Sequence, residues 1–205
     1  MATATKPDHK SSTVEFEARK DEKEYSDRDH RDIQRFREQI LKAVEPAHEG
    51  EVLYFSLGDA SFSSSCIDET IGAAIREVTA EKSKKHPDRF IVMVDPEGEN
   101  WWDADAALRK ASDDLNTKLV CVWRGPGGTI KLIGPVDEKA EATYEFVARM
   151  GKEGATTRDL AEARDISIQA ASNRMSRAAR AGLIRRVKQE SVSKGGTQHV
   201  YLAVE

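Results

Sequence analysis

TTRDLAEARDISIQAASNRMSRAARAGLIRR, residues 156–186, decides how the C-terminal third of the chain folds. Thr157 is placed to cap a helix whose Leu160 and Ala161 face inward. After Ile166, Ser167 is a good N-cap for a second helix, and Ala171, Met175, Ala178 and Ala179 recur along it at helical spacing. Gly182 ends that helix. Beyond it, LIRRVKQ and HVYLAV read as two strands joined by a Gly-rich tip, ESVSKGGTQ, which carries Lys194. Upstream, Tyr144, Phe146, Val147 and Met150 mark a short helix over 143–150. The reading is three helices followed by a hairpin.

Charge separates this segment from the rest. The chain has a formal net charge of -4 over 205 residues. Residues 1–138 hold 20 Lys and Arg against 28 Asp and Glu; residues 139–205 hold 12 against 8. Within 166–201 Glu190 is the single acid beside Arg174, Arg177, Arg180, Arg185, Arg186, Lys188 and Lys194. A body of net negative charge thus ends in a surface suited to phosphate.

The order helix, helix, short turn, helix, hairpin, with A-G-L-I-x-R leading into the hairpin, resembles the winged helix-turn-helix of bacterial transcription regulators over about 140–204. The resemblance implies that the helix after Ser167 enters a DNA major groove while the hairpin follows the flanking backbone. It places Gln169, Ser172 and Asn173 at base edges and Arg174 and Arg177 near phosphates or bases. Arg186, Lys188 and Lys194 become hairpin contacts, and a homodimer on palindromic double-stranded DNA is the implied assembly.

Working further outward, residues 1–30 are rich in Lys, Asp, Glu, Ser and Thr without apolar periodicity, which predicts a flexible charged tail. Ile33, Phe36, Ile40, Leu41 and Val44 predict an amphipathic helix that Pro46 ends. EVLYFSLG, RFIVMV, KLVCVWR and TIKLIG read as strands, with helices over 65–80 and 103–115 between them. Continuous apolar runs such as 90–94 predict strands covered on both faces, as in a parallel sheet with right-handed crossovers. The predicted fold class is therefore α/β, with a tail at 1–30, an α/β domain at 31–137 and the helical and hairpin domain at 138–205.

The stretch EVLYFSLGDASFSSSCIDETIGAAI, residues 51–75, runs from a strand through Gly58 and a serine cluster into a helix. It resembles STAS-like domains, relatives of anti-sigma factor antagonists, over about 50–136. The resemblance implies a sensing or protein-recruiting role, and it aligns Ser65 with the serine that partner kinases phosphorylate. Ser64, Cys66 and Ile67 depart from that motif, and helix capping by Ser63, Ser64 or Ser65 explains the same serines.

Catalytic motifs are missing from this reading. The five His are scattered without HExxH spacing, RGPGGTIK lacks the form of a phosphate-binding loop, and neither GxSxG nor GxGxxG occurs. No enzyme, cofactor or metal is expected, and Cys66 and Cys121 fit a reducing, cytoplasmic setting. The longest apolar runs are far below the roughly 20 residues of a membrane span. The expected protein is a DNA-binding transcription regulator with a STAS-like sensing or recruiting domain. Its rivals are a protein-interaction switch and a DNA-binding accessory subunit of a defence or modification complex. Adjacent at a helix start, Trp101 and Trp102 cannot easily both be buried; at least one is expected to pack against the sheet edge, and one is a candidate exposed anchor for a partner or ligand.

Overall fold

The computed structural model of the protein describes residues 11–19, 23–27, 29–45, 50–80, 89–116, 118–191 and 196–205. A five-stranded sheet organises the N-terminal part: β1 (Ser11–Glu15), β3 (Glu51–Ser56), β5 (Arg89–Val94) and β6 (Cys121–Arg124) are parallel in that order, and β7 (Ile130–Ile133) closes antiparallel on β6. The two-residue strands β2 (Glu24–Tyr25) and β4 (Ser61–Phe62) pair beside it. The crossovers are α1 (Arg31–Val44), the continuous helix α2 (Ser64–Ile67), π-turn (Asp68–Gly72) and α3 (Ala73–Ala80), and α4 (Trp101–Leu115).

Strand neighbours follow chain order, so each right-handed crossover steps the same way and drops its helix on the same face. The side chains obey this. Leu53, Phe55, Ile91, Met93, Cys121 and Trp123 point to that front face and pack with Phe36, Ile40, Ile67, Ile71, Ala107 and Leu108 of the helices. The alternate residues Val52, Phe90, Val92, Val120 and Val122 point to the back.

Their cover comes from the C-terminal unit of α5 (Glu138–Arg149), α6 (Thr157–Arg164), α7 (Ile168–Arg180) and the antiparallel hairpin β8 (Ile184–Ser191) and β9 (Gly196–Ala203). Tyr144, Val147, Leu160, Met175, Leu183, Ile184, Tyr201 and Val204 join the back-face residues in one continuous core. The last residue is tied down as well, since the Tyr54 hydroxyl donates to the Glu205 carbonyl at 2.6 Å. Both sheet faces are thus apolar, as expected for parallel strands, with helices of two different origins covering them.

The predicted tail is corrected over its described part. Residues 11–15 form β1, and Phe16 and Tyr25 are buried at 5% and 2% exposure. Phe16 meets Tyr25, Phe36 and Phe62 edge-on with ring centroids 4.8–5.2 Å apart. Two aromatic anchors outweigh the charged residues around them, because each large apolar ring contributes about 1.5–3 kcal/mol on burial. The start of the second C-terminal helix also shifts by one residue: Thr156, not Thr157, is the N-cap, in a reciprocal capping box with Asp159.

At the strand ends, buried Asp95 accepts from Trp123 Nε1 at 3.1 Å, Asn100 N at 2.8 Å and Asn100 Nδ2 at 2.9 Å. Asn100 in turn accepts from Phe62 N at 2.6 Å and donates to the Ala60 carbonyl. One carboxylate and one amide thereby hold β4, β5, β6 and the start of α4 together, and removing either strands buried donors at about 1–3 kcal/mol each.

Phe16→Ala should lower unfolding free energy by about 3–5 kcal/mol in urea denaturation, whereas a flexible tail would give no change. Burial pushes the Cys121 thiol up to about 12 from 9.0 and raises that of Cys66, so neither should react with iodoacetamide at pH 8 before unfolding. Because the folded value is the higher one, the stability linked to Cys121 is complete below pH 9.0 and is lost as pH climbs toward about 12.

Candidate nucleic-acid interface

The site begins with the packing of α7. Ala171, Met175, Ala178 and Ala179 are buried against α5 and α6, which fixes the opposite face of the helix toward solvent. Ser167 Oγ accepts from Ala170 N at 3.2 Å and caps the first turn. Asp165, in the left-handed region at φ 49°, turns the chain between α6 and α7 within three residues.

Gln169, Asn173 and Arg177 lie on the solvent side, and Gln169 Nε2 donates to Asn173 Oδ1 at 3.2 Å. Ser172 and Arg174 are half-buried on the flanks of that stripe. Arg180, counted among the basic residues of the segment but not among the DNA contacts expected from the sequence, is exposed three turns beyond Gln169 on the same stripe, its Nε donating to the Ser176 carbonyl. The eleven-residue spacing from Gln169 was the available signal. Ile168, 58% exposed, adds an apolar group at the leading end.

Strand alternation divides the basic residues of β8. Arg186 and Lys188 are exposed, while Arg185 turns toward the sheet and faces Tyr54. Arg185 is half-buried, its Nε and Nη1 have no hydrogen-bond partner among the described residues, and burial lowers its pKa. Lys194, assigned to the hairpin tip, lies outside the described residues. No Asp or Glu occurs from Ile166 to Gln189.

Ser65 sits apart, at the start of α2. It is exposed, shares a 2.9 Å contact with Ser63 Oγ and donates to the Ser26 carbonyl, while Ser63 serves as the N-cap. Ser64 N already donates to the Asp103 carboxylate at 3.1 Å, so an acidic group occupies this helix start. Trp102 is 67% exposed and lies tilted against half-buried Trp101, whose ring carries the Lys131 ammonium 3.5 Å from its centroid. Among the described residues no three His, Cys, Asp or Glu stand together as a metal site, and no helix is long and apolar enough to cross a membrane.

What the arrangement offers chemically is a rigid helix face of amide, hydroxyl and guanidinium groups, flanked by two exposed cations on an adjoining strand. Arg177→Ala and Arg180→Ala leave the buried face of α7 untouched, so each should shift unfolding free energy by less than about 0.5 kcal/mol in denaturant titration.

No protein-family model matches the chain, and no curated protein is matched by it.

Proposed function

We propose that the protein binds double-stranded DNA as a transcription regulator, with α7 in the major groove and the β8–β9 hairpin along the backbone, in the manner of a winged helix-turn-helix. One observation carries the reading: an acid-free stripe of Gln169, Asn173, Arg177 and Arg180 on α7, continued by Arg186 and Lys188. Amides read base edges and guanidinium groups read guanine or hold phosphate, so both parts of a DNA contact are represented on one surface. Arg174, on the flank, suits a phosphate rather than a base.

In this reading the N-terminal α/β part is a STAS-like unit that senses a signal or recruits a protein, and the active form is a cytoplasmic homodimer matched to a two-fold operator. The shared back-face core supports a direct mechanical link between the two parts, because a shift of the sheet has to be felt by α5, α7 and β9.

Fluorescence anisotropy with a random-sequence duplex at several salt concentrations tests the proposal. Affinity should fall steeply with salt, with a log-log slope of about -0.9 per phosphate contact. Arg177→Ala combined with Arg180→Ala should flatten that slope by about 2 units and weaken binding about tenfold at moderate salt. No binding at low salt, or an unchanged slope in the double variant, would remove α7 from the interface.

A further inference from the structure

The C-terminal unit covers the back of the sheet only toward the beginnings of the strands, where Val52, Phe90, Val92 and Val122 are buried. Toward their C-terminal ends the same face stays open as a groove of about 500 Å³. The strand register draws a line across it. Glu15 is level with Ser56, Ser56 with Val94, and Val94 with Arg124, so four residues on β1, β3, β5 and β6 form one row pointing to one side.

That row is polar where the adjoining ones are mostly apolar. It has a carboxylate at one end, a guanidinium at the other, and a hydroxyl and an isopropyl group between. Three strand spacings of about 4.8 Å put its ends roughly 14 Å apart. Glu15 and Arg124 are both exposed, and among the described residues neither is in an ion pair. The Tyr54 ring forms a wall, and the turn at Gly127 and Gly128 leaves the rim clear, since a Cβ on either would meet nothing within 4 Å. Tyr54 also influences Arg185 electrostatically, and the buried Nε and Nη1 of Arg185 have no hydrogen-bond partner among the described residues. The C-terminal ends of parallel strands are also where open α/β sheets admit ligands.

We propose that this groove binds a short zwitterionic peptide, its ammonium on Glu15 and its carboxylate on Arg124. With both side chains leaning inward, the charges of the ligand lie roughly 7–10 Å apart, the span of an extended tripeptide. Ser56 supplies a hydroxyl to the peptide backbone, and Val94 packs beneath it. A ligand seated here touches Tyr54, whose hydroxyl holds the carbonyl of Glu205 in the C-terminal unit.

The experiment is an NMR titration of the full-length, ¹⁵N-labelled protein with trialanine, beside N-acetyl-trialanine and trialanine amide. Trialanine should give saturable shifts centred on Ser56, Val94 and residues 124–128, and removing either terminal charge should weaken binding at least tenfold. Arg124→Gln should abolish the preference for the free carboxylate, and Glu15→Gln the preference for the free ammonium. Unchanged spectra away from the groove verify that both variants fold. No saturable shift at about 10 mM trialanine, or equal binding of the capped peptides, overturns the proposal. DNA is absent from the titration, so its outcome is independent of the DNA-binding reading.

Discussion

A parallel sheet whose strands follow one another in chain order can place its crossover helices on one face only. Everything else in this protein answers that constraint. The front face is closed by α1, the α2–α3 helix and α4, which leaves Val52, Phe90, Val92, Val120 and Val122 facing away from every helix of the N-terminal part. Five such side chains in water would forfeit about 1.5–3 kcal/mol each, a sum comparable to the stability of a whole domain. The C-terminal helices and hairpin remove that penalty, and the two parts of the chain become one body sharing a core.

Most of this architecture was legible locally. The 3–4 spacing of Ile33, Phe36, Ile40 and Val44 declares α1, and the run at 90–94 declares β5. What could not be read is pairing at a distance. SSTVE contains Val14 as its only apolar residue, and it becomes a strand because the β3 edge offers it a ladder, not because its own pattern demands one. Phe16 and Tyr25 are isolated in a charged stretch, so any window average hides them, although each fills the aromatic cluster around Phe36 and Phe62. A run of apolar residues announces that both faces of a strand are buried, yet not that the second cover lies some 50 residues further along.

The candidate interface was more legible than the fold around it, because a helix with Ala and Met on one side dictates which residues face outward. Gln169, Asn173 and Arg177 follow from the spacing alone. Arg180 obeys the same rule, although the groove contacts expected from the sequence stop two turns after Gln169 instead of three. Strand alternation likewise separates Arg185 from Arg186 by arithmetic, but only the folded sheet shows that Arg185 turns toward Tyr54. The charged row from Glu15 to Arg124 has no local trace at all, since it exists only once four separate segments are in register.

The three tryptophans of the chain all belong to the N-terminal part. Trp123 is buried with its indole N–H fixed on Asp95, and Trp101 and Trp102 lie against each other at an interplanar angle of 31° with ring centroids 3.7 Å apart. Two indoles held that closely couple their electronic transitions, so the pair is a chiral chromophore in its own right. Its circular dichroism and the shielded emission of Trp123 report on the sheet and α4 without a label, while the α7 surface contributes no indole signal. The molecule therefore carries a built-in optical gauge that reads one half of its structure and is blind to the other.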